Sequence, residues 1–558
     1  MASATFPGRD AVAEDGLVAG EDVAGPLGST LARIVAPAIA TIAAGLLYRY
    51  ACPPFGLAPL AWAVPALLLV PTRGLGARRA FACGVLFAFV MGAGVTGWAY
   101  DAARAYFGFG PWRAAAFVAL VWLVFGGVQY GLLVTAYAAL APRAPLAFRG
   151  FLGAWLWAAA EVLRTWLFTG MPWELLGHTQ HRWLGLIQIA DLGGVYAVSF
   201  LMALVSVSVG ELLAARRTPW RTIAAGLALP AAGVVGALAY GEHALAVHRT
   251  PASEADVRTA VVVQANLPSG IRWRRIEGER ALAAYNRLSL DGQEPVDLIV
   301  WPEYAANLYL EREPLLRAQL APVARAARDG LVLGAPRLAR TGEAYNSAFL
   351  LDPVGAIAGT YDKRHLVPFT EYDPLGRRTT SGADAAPRFT AGGAPRLLEG
   401  RATKIGALIC YEVLFPHLVR DLVQGGAGVL VNLSNEAWLD AGTGTASMQQ
   451  LSMAVFPAIE TRRFLVRAST TGVSGFVSPA GEVSSTIPVG TAGTARAQIA
   501  VRHELTPYVR IGEAWLIPAG LLAAAVLLAA RRAPRSGGAP GIETPSDAGA
   551  IVARGGRI

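Results

Sequence analysis

Lys404-Ile-Gly-Ala-Leu-Ile-Cys-Tyr-Glu412 is the stretch on which the reading of this chain turns. A strand-like apolar run ends at Cys410, and an acidic residue follows two positions later. A nucleophile presented at the end of a strand faces a pocket, because the chain must turn there and leave the side chain exposed to a ligand. Taken alone, a cysteine in such a run reads most often as a small buried thiol. Cys410 is one of three cysteines. Cys52 and Cys83 lie within or beside hydrophobic segments and have neither metal nor disulfide spacing.

On either side of this stretch the chain changes character. Of 558 residues, 54% are hydrophobic and 16% charged, with mean hydropathy +0.42, too apolar for a purely soluble protein. Apolar segments recur near 31–47, 56–71, 80–99, 113–140, 151–169, 184–213 and 221–240, with a last one near 513–530. Each approaches the roughly 20 residues that a helix needs to cross hydrocarbon. The first has no small-residue cleavage site and reads as a retained span. The spacing predicts about eight spans: seven within 29–241 and an eighth at 511–532. Residues 1–28 and 533–558 read as disordered tails.

The net charge of +9 raises the question of nucleic acid, but the basic residues sit in short loops between apolar segments. Arg73, Arg78 and Arg79 follow the second expected span, Arg143 and Arg149 the fourth. Arg216, Arg217 and Arg221 follow the sixth, and Arg531, Arg532 and Arg535 the last. The positive-inside rule places these loops and the N-terminus in the cytoplasm. The insert from 242 to 510 is then expected on the opposite, extracytoplasmic face.

The insert reads as α/β. Val257–Gln264, Val296–Trp301, Leu331–Gly334, Ile405–Cys410 and Val429–Leu433 are short β-rich runs. Turn signals at Asp352-Pro-Val-Gly355 and Ser478-Pro-Ala-Gly481 predict two hairpins, over Asn346–Tyr361 and Phe476–Val483. Three strand ends carry chemistry: Glu303, Lys363 and Cys410. A carboxylate in an apolar pocket can take the thiol proton, and an ammonium with a backbone N–H can stabilise an oxyanion. The set suffices for acyl transfer through a thioester with no metal or other cofactor.

In chain order, Trp301-Pro-Glu-Tyr304, Tyr361-Asp-Lys-Arg-His-Leu-Val-Pro-Phe369 and Ile409-Cys-Tyr-Glu412 resemble the Glu–Lys–Cys motifs of the nitrilase, or carbon–nitrogen hydrolase, superfamily. The membrane segments and Lys363-Arg-His-Leu-Val-Pro-Phe-Thr-Glu371 narrow the resemblance to the apolipoprotein N-acyltransferase family, from about residue 31 to 530. The resemblance implies an α-helical membrane bundle plus an extracytoplasmic nitrilase-like αββα sandwich. It implies Glu303 as general base, Lys363 as oxyanion stabiliser and Cys410 as nucleophile. Glu371 and Glu412 match acidic residues that support the site, and the Tyr411 backbone N–H would complete the oxyanion hole. Asn346 matches a position near the site, and Trp273 a mobile-loop tryptophan involved in substrate handling.

The activity implied is transfer of a fatty acyl chain from a membrane phospholipid to the α-amino group of diacylglyceryl-cysteine in an apolipoprotein, in the bacterial cytoplasmic (inner) membrane. The partners implied are the phospholipid, the diacylated apolipoprotein and the membrane, with no nucleic acid. The alternative is a membrane-anchored extracytoplasmic amidase. The spans weigh against it, since a soluble substrate gives no reason for so many helices. Gly170-Met-Pro-Trp-Glu174 resembles a family segment in which Trp173 lines a lipid entry path. Glu161 and Arg164, three apart on one helix face, are expected to form an ion pair. Two segments depart from the family pattern: Thr443-Gly-Thr-Ala-Ser-Met-Gln-Gln450 stands for Gly-Pro-x-Gln-His, and Pro457-Ala-Ile-Glu460 for Arg-Ala-Ile-Glu. His178, His181 and His365 show no metal spacing.

Overall fold

The computed structural model describes residues 26–215, 218–249, 253–267, 275–291, 294–373, 388–439 and 443–532. Among them, six helices are long and apolar enough to cross a membrane: Ala77–Val95, Pro111–Arg143, Leu146–Trp166, Val195–Ala214, Trp220–His248 and Pro507–Arg532. The first expected span lies in the helix Pro26–Ala51, whose shorter apolar part is Val35–Ala51. The second, near 56–71, is broken into two 3-10 turns around the helix Val64–Leu69. Pro59, Pro65 and Pro71 start each piece, because a ring without an N–H suits a first turn and breaks an interior one.

The sixth expected span starts later than its hydropathy suggests. Residues 184–193 fold as two single-turn helices, and the span proper begins at Val195 after Gly194, which has φ +70°. The polar Gln188 and Asp191 in this stretch are turned toward Arg462 of the insert. Small residues let other helices close up. A Cβ on Gly84 would stand 2.2 Å from the Tyr130 carbonyl oxygen, so only glycine allows that approach. At one end of the bundle Arg73 and Arg149 share the buried Glu211 carboxylate, which also accepts from the Tyr137 hydroxyl at 2.8 Å. Two loops expected on one side of the membrane therefore meet on one helix end.

The described residues of the insert form twelve strands: β1 Val257–Gln264, β2 Val296–Val300, β3 Ala327–Leu338, β4 Ala344–Leu351, β5 Ile357–Asp362, β6 Leu398–Glu399, β7 Lys404–Ile409, β8 Val429–Ser434, β9 Leu465–Ser469, β10 Ser474–Val477, β11 Val483–Ile487 and β12 Gly493–Ala500. They form two six-stranded sheets, β12-β1-β2-β3-β4-β5 and β11-β10-β9-β8-β7-β6. In each, three central strands run parallel (β1-β2-β3 and β7-β8-β9) and the outer ones antiparallel. Both expected hairpins are present, as β4–β5 and β10–β11.

Alternation along the strands assigns the layers. Val261, Val263, Ile299, Leu331 and Leu333 pack against Leu282 and Tyr285 of the helix Arg275–Leu290 and Val323 of Ala321–Ala326. Their neighbours Ala260, Val262, Leu298, Val300 and Val332 face the second sheet. The helices Pro416–Gln424 and Thr445–Thr461 cover that sheet on its far side, which completes an α-β-β-α sandwich. The inner core continues without a break into the membrane bundle. Each buried Val, Leu or Ile contributes about 1.5–3 kcal/mol, so sandwich and bundle are held together by packing as well as by the chain.

Candidate active site

Glu303 follows β2, Lys363 follows β5 and Cys410 follows β7, so three strand ends converge. All three side chains are almost fully buried. Lys363 Nζ lies 3.3 Å from Glu303 Oε1 and 3.0 Å from Glu371 Oε1. Asn346, on β4, donates from Nδ2 to the same two oxygens, at 2.7 Å and 2.8 Å. The β4–β5 register makes this possible: it sets Ser347 opposite Asp362 and brings the Lys363 N–H onto the Asn346 carbonyl at 2.8 Å. One ammonium and one amide thus bridge two carboxylates, which would otherwise repel.

A non-glycine residue in the left-handed region stands in the Glu303 turn (Tyr304, φ +55°), at Cys410 itself (+55°) and further along the loop that follows Lys363 (Phe369, +64°). Such conformations cost about 1–3 kcal/mol each and persist only where surrounding contacts enforce them. At Cys410 the enforcement is visible. Asn432 Nδ2 donates to the carbonyls of Cys410 (2.9 Å) and Leu408 (3.2 Å). Glu412, fully buried, accepts from the backbone N–H groups of Ile409 (2.7 Å), Arg364 (2.7 Å) and His365 (3.0 Å) and from the Tyr361 hydroxyl. It clasps the nucleophile turn to the lysine loop. Tyr411 closes the same seam, its hydroxyl donating to Leu366 O at 2.7 Å and its ring 5.6 Å from Lys363 Nζ. His365 packs its ring on Phe415 at 4.0 Å.

Burial dominates the electrostatics. It raises Glu303 to about 7, against the opposing pull of Lys363. It also pushes the Cys410 thiol up to about 12, with the Glu303 charge adding to the rise and Lys363 opposing it. Burial alone would depress Lys363, but the Glu303 and Glu371 carboxylates more than offset it and hold the ammonium charged. The resting site is a neutral thiol, a permanent cation and a carboxylate poised near neutrality. That combination is competent for proton transfer to Glu303 followed by nucleophilic attack.

A second buried network, which the sequence did not announce, backs Cys410. Arg467, on β9, donates to Asn432 Oδ1, to Glu436 Oε1 and to Gln450 Oε1, the last at 2.6 Å. Glu436 also accepts from Ser469 and from Ser434, the latter at 2.5 Å. The Ser434–Trp438 motif contains Glu436, but an arginine inside an apolar strand gives no local sign of its partners.

The membrane part meets the site directly. Tyr106 lies 5.4 Å from Trp438 and Phe117 5.8 Å from Phe369, ring centre to ring centre. Trp173 is buried: its indole donates to Gln449 at 2.9 Å, as does that of Trp98 at 3.1 Å. Glu161 and Arg164 do not pair. Glu161 accepts from Trp157 and the Leu176 N–H, while Arg164 donates to Trp173 O at 2.8 Å. The loop Leu167–His181 folds back over that helix end and offers each group a closer backbone partner. Trp273 lies outside the described residues.

Residues 44–208 match the family model "Apolipoprotein N-acyltransferase N-terminal domain", and residues 264–507 match "Carbon-nitrogen hydrolase". The apolipoprotein N-acyltransferase of Geobacter metallireducens is 33% identical over 88% of this chain and 95% of its own length. The chain belongs to the apolipoprotein N-acyltransferase family. The same-named proteins of Azotobacter vinelandii and Pseudomonas aeruginosa PAO1 are each 32% identical, over 90% and 84% of this chain and 96% and 91% of theirs. A solved carbon–nitrogen hydrolase from Helicobacter pylori G27 aligns with TM-score 0.35 and 17% identity, over 50% of this chain and 96% of that one. Family membership makes the chain an acyltransferase with a nitrilase-like domain, as its motifs imply.

Proposed function

We propose that the chain moves a fatty acyl group from a membrane phospholipid to the α-amino group of diacylglyceryl-cysteine at the N-terminus of an apolipoprotein. Glu303 takes the Cys410 proton, and the thiolate attacks the ester carbonyl of the phospholipid. The tetrahedral oxyanion sits against Lys363 and the Tyr411 N–H. The C–O bond breaks, a lysophospholipid leaves with the proton from Glu303, and a thioester remains. The lipoprotein amine then attacks, loses its proton to Glu303 and is released as an amide, which regenerates the thiol. Glu371 and Asn346 hold the charge pattern around Glu303 and Lys363, and Glu412 holds the turn. Trp173 and Trp273 serve substrate handling.

The observation that carries this reading is the shared core, with the Phe117–Phe369 ring contact, between a Glu–Lys–Cys site and apolar helices long enough to cross a bilayer. Two lipid-anchored substrates that diffuse in the membrane plane reach such a site with their translational freedom already reduced. We further place the chain in the bacterial inner membrane as a multi-pass protein, with residues 242–510 outside the cytoplasm and 29–241 and 511–532 as the membrane part. The meeting of Arg73 and Arg149 on Glu211 supports that polarity.

The test mixes the full-length protein with a phospholipid labelled in its acyl chain. Label on Cys410 that hydroxylamine removes, and that passes to a diacylated lipopeptide, is the expected result. The absence of lipid-derived label, with ammonia released from small amides instead, would point to an amidase and overturn the proposal. Cys410→Ala is expected to abolish labelling.

A further inference from the structure

A cavity of about 460 Å³ opens at the collar between the membrane bundle and the sandwich. Its walls are the Pro53–Gly56 turn, His181, Arg182 and Leu184, the hairpin residues Gly481–Val483 and one face of the helix Thr445–Thr461. The Cys410 site lies elsewhere on that helix. Gln450 reaches Arg467 on the active-site side, whereas Met448, Leu451 and Val455 line the cavity.

Three features describe its occupant. Phe55, Leu57 and Trp183, beside the cavity in sequence, are exposed. Phe55 and Leu57 follow the apolar stretch Val35–Ala51, and aromatic side chains such as Phe55 and Trp183 settle at a membrane–water boundary. The lining carries one charge of each sign. Arg182 is exposed and forms no ion pair among the described residues. Among the described residues the Glu482 carboxylate pairs with Arg249 at 2.9 Å, and both partners are about half exposed, so the pair is weak and exchangeable. Apart from His181 and Ser452, the rest of the lining is apolar or glycine.

We propose that this collar cavity binds a zwitterionic phospholipid, with its phosphate on Arg182, its ammonium on Glu482 and its glycerol end against Leu184, Leu451 and Val455. One cation and one anion match a headgroup that carries both charges, and the apolar walls match the ester end that a soluble phosphate lacks. The site is distinct from the one at which Cys410 is acylated, and its occupancy does not depend on that reaction.

The probe is phosphatidylethanolamine bearing a photoreactive diazirine in its headgroup, in nanodiscs with the full-length protein. Adducts are expected on peptides covering 178–184 and 478–484. Arg182→Glu should lower them at least fivefold, and so should Leu451→Trp, which fills the cavity without changing charge; both variants should keep the wild-type melting temperature. Wild-type adduct levels in both variants would overturn the site. Equal labelling by a phosphatidylglycerol probe, which has no ammonium, would overturn the part assigned to Glu482.

Discussion

Burial lifts Glu303 to about 7 and Cys410 to about 12, and Lys363 opposes both rises. As pH rises through 7, Glu303 becomes the anion that can accept the thiol proton. The rate of Cys410 alkylation by a neutral electrophile should therefore climb across that range and level off. Glu303→Gln should remove the inflection and cut the rate at neutral pH by 10²-fold or more, on the order expected for loss of a general base. A profile that still inflects near 7 in the variant would assign the titration elsewhere. Asn346 matters through its position between the carboxylates. Asn346→Leu withdraws a hydrogen bond from the Glu303 anion, so the inflection should move to higher pH. The Glu303, Lys363 and Cys410 positions were legible because each sits in a short motif at a strand end. Asn432 and Arg467 were not, since their roles depend on which strands neighbour β7.

At the scale of elements, the Glu303 turn and the Cys410 turn each depend on one device. Gly334 on β3 passes so close to the Glu303 turn that an added Cβ would lie 2.6 Å from Glu303 Cα. Gly334→Ala should displace Glu303, and activity should fall far more than the melting temperature. Glu412 receives four hydrogen bonds from three segments. Glu412→Gln turns one acceptor end into a donor, leaving buried N–H groups unmet at about 1–3 kcal/mol each. The expected outcome is a lower melting temperature and a fall in kcat larger than any rise in KM, measured on the purified protein. Both hairpins were readable from Asp-Pro-Val-Gly and Ser-Pro-Ala-Gly. Strand β12 was missed although its exposure alternates, because alanines at 495 and 497 carry too little hydrophobicity to show the period.

Across the whole molecule, the joint between bundle and sandwich is polar where it is most specific. Arg462 and Asp191 pair while almost fully buried, and Gln449 takes two indole donors while giving to Pro53 O and Val95 O. Arg462→Met strands a buried carboxylate and should cost about 3–5 kcal/mol. Adding Asp191→Asn should recover part of it, a non-additivity that thermal unfolding of the four proteins would reveal. Additive losses would mean the two residues act apart. Gln449 lies within the segment 443–450 and Arg462 just beyond 457–460, so both segments that depart from the family pattern reach the joint.

Local sequence determined the apolar helices, the principal strands, both hairpins and the strand-end positions of Glu303, Lys363 and Cys410, because each depends on a short-range pattern: hydropathy length, β-rich runs or a turn motif. Tertiary structure alone decided that Glu161 and Arg164 stay apart and that residues 184–193 bend toward Arg462. It also decided that Cys410 takes its left-handed turn under Asn432 and Glu412. These are choices among competing partners, and which partner wins depends on residues that meet only once the two sheets and the bundle have packed.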